Sequence, residues 1–253
     1  KYFNESFNGI VIEGHTRELK NKLKSFDIDC VINCIAKVDY VGEARLYEEA
    51  NVQSVVDILA YVNEINIPLY HISTLGLGIN QEDFNETSKI KNPMYDNLYL
   101  KSKFMAEYLV LKENIDKVKH HIIRVGNLMP RFKDYKFQIN KEENLFMLLL
   151  QNAKKTKVLP QSYQNTLFDV SPVDFVSKKI VHLIKYETNM PVYHVFEEPK
   201  VTLEEIIGNI HYDKGTHLSI PIISASSKYT NMLLDETKYP KLYIDQTYLK
   251  HML

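Results

Sequence analysis

The chain has 253 residues, of which 45% are hydrophobic and 25% are charged, the composition of an ordinary globular protein. This length is enough for one large domain or a domain with an appendage. A formal net charge of −1 and the lack of a basic stripe with interleaved aromatic residues argue against a nucleic-acid partner. The apolar runs are far shorter than a membrane span, and no signal-peptide pattern appears, so we expect a cytoplasmic protein without membrane contacts.

The two cysteines and the histidines carry no sign of a disulfide or a metal site. Cys30 and Cys34 lie four positions apart on one predicted strand, which separates them by roughly 13 Å, too far for a bridge. We therefore expect buried thiols in a reducing compartment. The histidines are not spaced as ligands with cysteines or carboxylates, so no metal is expected.

Predicted strands and helices alternate along the chain, which indicates a parallel sheet with helices on both faces. The predicted strands are 10–12, 29–35, 69–74, 121–125 and 192–196. The predicted helices are 16–26, 46–63, 99–112, 144–153, one beginning at 172–174, one beginning at 202 and the tail within 239–253. Thr16 is expected to cap the first helix, and Thr202 with Glu205 forms a capping-box pattern. Strand 29–35 is almost wholly apolar, as a strand covered on both faces would be.

Two stretches carry the residues with the clearest catalytic chemistry. Thr74 ends a predicted buried strand, and Tyr99 and Lys103 lie four positions apart where a helix begins. Residues at i and i+4 share a helix face, so the phenol and the ammonium can enter one cleft. Ligands of open α/β sheets bind at the carboxyl ends of strands, where Thr74 lies. This set can protonate a carbonyl oxygen while a hydride reaches its carbon, and the cation is expected to lower the pKa of the phenol.

The spacing of Tyr99 and Lys103 is weak evidence by itself, because the chain contains a second pair with the same spacing, Tyr108 and Lys112. The second pair has no hydroxyl-bearing strand before it and is interpreted as one face of an amphipathic helix. Ser73 is adjacent to Thr74 but should point to the opposite face of an extended strand, so it ranks second as the hydroxyl donor.

Glycine is scarce, with eight residues in the chain, and no Gly-x-Gly-x-x-Gly or Gly-x-x-Gly-x-x-Gly pattern occurs. A dinucleotide site normally needs such a turn so that backbone N–H groups can approach the pyrophosphate. Either the cofactor half of a first βαβ unit is missing from this chain, or the protein does not bind a dinucleotide.

Several motifs together resemble extended short-chain dehydrogenases and, more narrowly, the terminal thioester reductase domains of nonribosomal peptide synthetases. The matching stretches are 29–36 followed by 50–52, 71–74, 96–107, 124–131 continuing to 137–140 and 144–146, 171–174, and 193–195. The stretch Arg124-Val125-Gly126-Asn127-Leu128-Met129-Pro130-Arg131 is the most specific, because sugar epimerases of similar fold usually carry a Pro-rich turn there. The resemblance implies a Rossmann-like doubly wound parallel sheet that lacks its first βαβ unit, with a smaller, mostly helical C-terminal substrate subdomain.

The resemblance also implies residue roles. Thr74, Tyr99 and Lys103 fall on the family's catalytic triad, with Tyr99 as proton donor and Lys103 holding the nicotinamide ribose. The other positions implied to bind NADPH are Gly14, His15, Cys34, Ile35, Ala36, Val125, Gly126 and Asn127. The family usually has Asp near the adenine where this chain has His15. No metal is implied.

The implied organisation is a Rossmann-like core over 1–128, to which 172–197 returns, and a substrate-binding subdomain over 129–171 and 198–253. The implied activity is NADPH-dependent release of a carrier-bound peptidyl thioester as an aldehyde, and further reduction to an alcohol stays open. The implied partner is an upstream peptidyl carrier protein domain that bears a phosphopantetheine-linked peptide. Two alternatives stay open: a stand-alone sugar-nucleotide epimerase or dehydratase, and an inactive fragment that retains only the substrate half.

Three further features have ordinary structural interpretations. Asn127 can be a loop residue, and Asp174 can be a helix-start residue near the helix dipole. The segment 132–137 can be either a carrier-docking or lid surface or a solvated loop.

Overall fold

The computed structural model of the protein describes residues 9–38, 42–79, 81, 83–90, 97–114, 119–138, 144–186, 189–198, 200–214 and 242–252. Three parts of the predicted features lie outside these residues: Asp96, positions 139–140, and the tail before Leu242.

The N-terminal part of the chain and one later strand form a parallel sheet. Its four strands are β1 (Val31–Asn33), β2 (Leu69–Thr74), β3 (His121–Val125) and β8 (Val192–Val195), in the order β1-β2-β3-β8. Asn33 pairs with His71, Ile72 with Ile123, and Ile123 with Tyr193. The carboxyl ends of the strands therefore meet at one edge of the sheet, and the predicted α/β fold with a parallel sheet is confirmed.

Helices cover both faces of this sheet. The N-terminal helices are α1 (Leu19–Leu23), α2 (Ala44–Tyr47), α3 (Ser54–Glu64) and α4 (Leu98–Lys112), and a π-helical segment (Glu48–Gln53) joins α2 to α3. Apolar residues of α3 and α4 pack with Leu69 and Ile122 on one face. Residues of α6 (Val173–Tyr186) pack with Tyr70 and Ile123 on the other face. The alternating side chains of each strand therefore serve two separate apolar clusters.

The rest of the chain forms its own apolar cluster beside the sheet. Its elements are β4 (Leu128–Met129), α5 (Leu145–Thr156), β5 (Val158–Pro160), β6 (Leu167–Asp169), β7 (Ser171–Pro172), β9 (Lys200–Thr202), α7 (Leu203–Ile207), β10 (His211–Asp213) and α8 (Gln246–His251). The strands form two-stranded sheets, β4 with β7, β5 with β10, and β6 with β9. Met129, Leu150, Phe168, Leu203 and Tyr248 meet in this cluster. The capping box predicted at Thr202 and Glu205 is confirmed.

Three local predictions at the N-terminal side are wrong. Residues 10–12 form no strand; Ile10 and Val11 are exposed, because nothing in the described chain pairs with them. Of the predicted strand 29–35, only β1 forms a strand. Because β1 is at the edge of the described sheet, Ile32 is 45% exposed instead of covered on both faces. The first helix is capped by His15, not Thr16, whose hydroxyl instead hydrogen-bonds Asp57.

No helix within the described residues has the length and apolar character needed to cross a membrane. Cys30 and Cys34 are free thiols, as predicted, although Cys34 is exposed rather than buried.

A buried ion pair fixes α4 against the sheet. The Glu107 carboxylate accepts hydrogen bonds from Nε and Nη2 of Arg124 on β3, at 3.0 and 2.7 Å, and both side chains are almost fully buried. The Arg124 guanidinium also lies 4.8 Å from the centre of the Phe84 ring. A charge buried this deeply depends on its partner, since the protein interior solvates it poorly.

We predict that Glu107→Ala lowers the free energy of unfolding by about 3–5 kcal/mol, because it leaves Arg124 buried without a counter-ion. The matched control is Glu64→Ala, which removes the exposed ion pair with Lys20 and should cost about 0–1 kcal/mol. Urea unfolding followed by circular dichroism measures both changes. Equal losses in the two variants would contradict this account of the buried pair.

Candidate functional site

A cavity of about 730 Å³ opens at the carboxyl ends of β1, β2 and β3, between the sheet, α6 and the C-terminal cluster. The residues of interest that line it are Cys34, Ala36, Ser73, Thr74, Tyr99, Lys103, Val125, Gly126, Asn127 and Phe146. This is the sheet edge at which the sequence predicts a site.

Thr74 ends β2 and begins a 3₁₀ segment, Leu75–Gly78. Its Oγ1 accepts a hydrogen bond from the Gly76 N–H at 3.0 Å. The hydroxyl proton of Thr74 can therefore be donated to a second group, and the Thr74 hydroxyl donates it to the phenol oxygen of Tyr99. Two hydroxyl groups from different elements therefore lie side by side in the cavity.

Tyr99 is placed by the start of α4. The Oδ1 of Asn97 caps this helix by accepting the Leu100 N–H at 2.7 Å, so the phenol projects from the first turn. Burial raises the pKa of Tyr99 to about 12, and the hydrogen bond from Thr74 opposes that rise without cancelling it. At neutral pH the group is a protonated phenol.

Lys103 lies one turn further along α4 and is only 2% exposed. Its Nζ donates to the Ile72 carbonyl at 2.7 Å and lies 3.2 Å from Nε2 of His71. Burial lowers the pKa of Lys103 to about 8, while the charges of Glu107 and Cys34 act in the opposite direction. Lys103 can therefore titrate within reach of physiological pH.

The expected lowering of the Tyr99 pKa by Lys103 is not found. The ammonium is drawn toward the backbone of β2, and desolvation of the buried phenol dominates instead. The competing pair is excluded as a site by its position, since Tyr108 is 54% exposed and Lys112 is also exposed.

Ser73 does not turn fully away from the site, contrary to the alternation argument. It is buried, it lines the cavity, and its hydroxyl has no hydrogen-bond partner among the described residues. The hydroxyl of Thr74, which contacts Tyr99, is still the better placed of the two.

A buried carboxylate holds Asn127, which lines the cavity, in place. Asp169 accepts hydrogen bonds from the backbone N–H and the side-chain amide of Asn127, both at 2.8 Å, and from the Ser171 hydroxyl at 2.9 Å. A Cβ atom at Gly126 would clash with the same carboxylate, which explains the glycine. Asn127 is therefore a fixed amide of the cavity wall.

The other residues predicted to bind cofactor are divided by the structure. Cys34, Ala36 and Val125 line the cavity, whereas Ile35, Gly14 and His15 do not. The backbone N–H of His15 donates to the Glu18 carboxylate, so an acidic group already occupies the N-terminus of that helix. Although Cys34 as a whole residue is exposed, desolvation of its thiol at the cavity raises the pKa of that thiol, which makes it a poor nucleophile.

The segment 132–137 is packed rather than solvated. The Asp174 carboxylate accepts the N–H groups of Phe132 and Lys133 at 2.9 and 3.3 Å, so it does more than begin α6. Tyr135 stacks on His251 with ring centres 4.1 Å apart. This packing ties the segment to α6 and α8.

Sequence reasoning missed three polar residues of the site: Asn33, His71 and Asp169. Each is buried, and each lies in an apolar strand. A polar residue inside an apolar run is visible in the sequence and indicates a side chain that needs a hydrogen-bond partner. The described residues contain no group of histidine, cysteine and carboxylate side chains that could hold a metal ion.

Residues 17–180 match the family model described as male sterility protein, an NAD-binding family. The chain belongs to this family.

Relatives of this NAD-binding family member agree with the match. The glycine betaine reductase ATRR of Emericella nidulans is 22% identical over 191 residues, which are 72% of this chain and 15% of the relative. The chain thus spans a small part of that protein's length.

Solved structures with the same fold include reductase domains and sugar-nucleotide enzymes. A thiolation-reductase di-domain from an archaeal non-ribosomal peptide synthetase is 25% identical, with a TM-score of 0.77, over 99% of this chain and 75% of that chain. The aureusimine biosynthetic cluster reductase domain is 21% identical, with a TM-score of 0.68, over 90% and 68%. ADP-L-glycero-D-manno-heptose-6-epimerase of Helicobacter pylori is 20% identical, with a TM-score of 0.65, over 97% and 78%. The resemblance to reductase domains drawn from the motifs is confirmed.

The described residues fit one end of a nicotinamide cofactor. Lys103 and the strand ends at Cys34 and Gly126 can hold a nicotinamide ribose and ring beside Thr74 and Tyr99. Within the described chain, no glycine turn leads into a helix N-terminus that could take the pyrophosphate.

We predict that the 253-residue chain binds NADPH weakly, because the donors that supply most dinucleotide affinity are not among its described residues. Calorimetric titration should give a dissociation constant far above the micromolar range. Low-micromolar binding would mean that a cofactor cradle exists elsewhere in the chain.

We also predict that Lys103→Ala in the intact protein both weakens cofactor binding and lowers turnover, since one side chain serves the ribose and the proton-transfer site. Lys112→Ala, on the exposed turn of the same helix, is the control and should change neither. Steady-state kinetics with varied NADPH separates the two effects. Similar losses in both variants would show that the wrong Tyr-Lys pair was chosen.

Proposed function

We propose that this chain belongs to an NADPH-dependent thioester reductase that releases a carrier-bound peptidyl thioester as an aldehyde. The observation that carries the proposal is the hydrogen-bonded pair of Thr74 and Tyr99 beside Lys103 in a large cavity. Membership of an NAD-binding family and the fold shared with reductase domains support it.

The proposed roles follow from the geometry of the hydroxyl pair. When the thioester binds, Thr74 turns its one proton from Tyr99 to the carbonyl oxygen, to which Tyr99 also donates, so negative charge that develops there meets two donors. A nicotinamide cofactor held at Lys103 and the strand ends would supply the hydride to the carbonyl carbon. Tyr99 protonates the oxyanion that results; when this hemithioacetal collapses, its hydroxyl proton returns to Tyr99 and the carbon–sulfur bond breaks. The carrier leaves as a thiolate that takes one proton from solvent, which gives the aldehyde. A second reduction of that aldehyde would give an alcohol.

The residues proposed to bind the cofactor fall into two groups, those that line the cavity and those that do not. Lys103, Cys34, Ala36, Val125, Gly126 and Asn127 lie at the cavity and would hold the nicotinamide end. Ile35 belongs to the same loop, whereas Gly14 and His15 would lie toward the adenosine end. NADPH rather than NADH is part of the proposal and rests on the resemblance to thioester reductases.

The cavity itself supports an acyl or peptidyl substrate. Its far side is formed by Met129, Phe146, Val173 and Val176, which offer apolar surface to an acyl chain. The proposed division separates the apolar clusters of the sheet from the C-terminal cluster. The reacting core covers 1–128 and 172–197, and the substrate-binding part covers 129–171 and 198–253.

The proposed partner is a peptidyl carrier protein that presents a phosphopantetheine-linked chain, within the cytoplasm. It is supported by the structural similarity to a protein described as a thiolation-reductase di-domain. The runner-up activity, a sugar-nucleotide epimerase or dehydratase, is supported by the shared fold with the Helicobacter pylori epimerase. An inactive fragment is the third possibility.

One assay separates these activities. We expect the intact protein to oxidise NADPH when an acyl-pantetheine thioester is added, with formation of one aldehyde per NADPH consumed. An epimerase would interconvert a sugar nucleotide without net NADPH consumption, and an inactive fragment would do neither. Absence of thioester-dependent NADPH oxidation would overturn the proposal.

Tyr99→Phe should lower turnover by about 10²–10⁴-fold while leaving carrier and cofactor binding nearly unchanged, because it removes the proton donor and leaves the ring in place. Tyr108→Phe, on the exposed face of α4, is the matched control and should retain full activity. The measurement is kcat with the acyl-pantetheine substrate. Near-normal turnover in Tyr99→Phe would remove the tyrosine from the mechanism.

A further inference from the structure

A buried chain of hydrogen bonds leads from the loop after β1 to Lys103. Asn33 Oδ1 accepts the Ile35 N–H at 3.0 Å, and Asn33 Nδ2 lies 3.1 Å from Nδ1 of His71. Nε2 of His71 lies 3.2 Å from Nζ of Lys103, which also donates to the Ile72 carbonyl. Asn33, His71 and Lys103 are each at most 2% exposed. Neither Asn33 nor His71 has a part in the reaction described above.

Which atom donates and which accepts in these hydrogen bonds follows from the bond between Ile35 and Asn33. The Ile35 N–H needs an oxygen, so the Asn33 amide must turn its oxygen to Ile35 and its NH₂ to His71. His71 Nδ1 is then an acceptor. Burial lowers the pKa of His71 well below its usual value, so the ring is neutral and carries one proton. That proton lies on Nε2, which points it at Lys103.

A donor aimed at Nζ suits only one protonation state of the lysine. A neutral amine has a lone pair that accepts the Nε2–H bond, whereas an ammonium has none and would face His71 donor to donor. We propose that Asn33 and His71 are positioning residues that favour the neutral amine of Lys103 and couple its protonation to the loop at Asn33 and Ile35.

The coupling can be written as a proton balance. When Lys103 takes one proton from solvent, His71 exchanges its Nε2 proton for one on Nδ1, so that Nε2 can accept from the ammonium. Asn33 must then rotate its amide to present oxygen to Nδ1, which takes that oxygen away from the Ile35 N–H. The charge of Lys103 and the backbone of the loop therefore change together.

The groups that face Lys103 from its surroundings are Glu107 and Tyr99 on its own helix, Cys34 after β1, and His71 on β2. Glu107 favours the ammonium, but its carboxylate is engaged by Arg124. The inference deepens the proposed function, on which the role of Lys103 rests, whereas the direction of the chain can be measured without turnover.

The first test measures the unsubstituted chain and uses one variant for assignment only. Nitrogen-15 NMR of the histidine side chains in the 253-residue chain, recorded at pH 9, reports which ring nitrogen of His71 carries the proton, with His71→Gln as the assignment control. We expect the proton on Nε2. A proton on Nδ1 would overturn the proposal.

The second test follows the titration of Lys103 by carbon-13 NMR of the lysine side chains, assigned with Lys103→Met. The wild-type group should titrate near pH 8. Asn33→Ala frees the ring to change tautomer, and His71→Gln can offer an oxygen, so each should raise the proton affinity of Lys103 by about tenfold, one pH unit.

His120→Gln is the matched control, because His120 is also buried and hydrogen-bonded, to the Leu69 N–H and Asn63, but does not contact Lys103. It should leave the titration unchanged. An unshifted titration in both network variants, or an equal shift in His120→Gln, would overturn the coupling. Loss of thioester reduction with these NMR results intact would instead reject the proposed function alone.

Discussion

The docking of α4 onto the sheet through buried ionisable side chains determines where the site lies. Lys103 and Glu107 are one turn apart on the inward face of the helix, and both are almost fully buried. Each depends on a partner from a different strand: Glu107 on Arg124 of β3, and Lys103 on the Ile72 carbonyl of β2. Rotation of the helix would unpair both groups at once, which is costly in a poorly solvating interior. The phenol of Tyr99, one turn before Lys103, is thereby held against the end of β2.

The second half of the site is held by a carboxylate rather than by a helix. Asp169 accepts three hydrogen bonds from Asn127 and Ser171, and it lies so close to Gly126 that no side chain fits there. This contact joins the end of β3 to the strand that leads into α6. Thr74 thus comes from the sheet and Tyr99 and Lys103 come from α4, while the apolar surface in the same cavity comes from α6 and the C-terminal cluster.

The sequence was informative where structure is local and failed where it is not. The i, i+4 spacing of Tyr99 and Lys103 and the apolar run before Thr74 depend on nearby residues, and both were predicted correctly as helix and strand. Residues 10–12 have strand composition, but a strand needs a neighbour, and none of the described strands lies beside them. The pairing of Asn33 with His71 likewise depends on the register between two strands far apart in the chain.

The pKa of Tyr99 decides which proton transfer this group supports at neutral pH. Oxidation of an alcohol needs a phenolate at Tyr99 to take the hydroxyl proton, yet burial raises the pKa of that phenol to about 12. Lys103 cannot correct this when it is neutral, and its pKa of about 8 makes the neutral form accessible. A protonated Tyr99 can still give its proton to an alkoxide-like oxygen, because such an oxygen is the stronger base. The desolvation that raises the pKa of the phenol therefore keeps Tyr99 a proton donor at neutral pH, the role that the proposed reduction assigns to it.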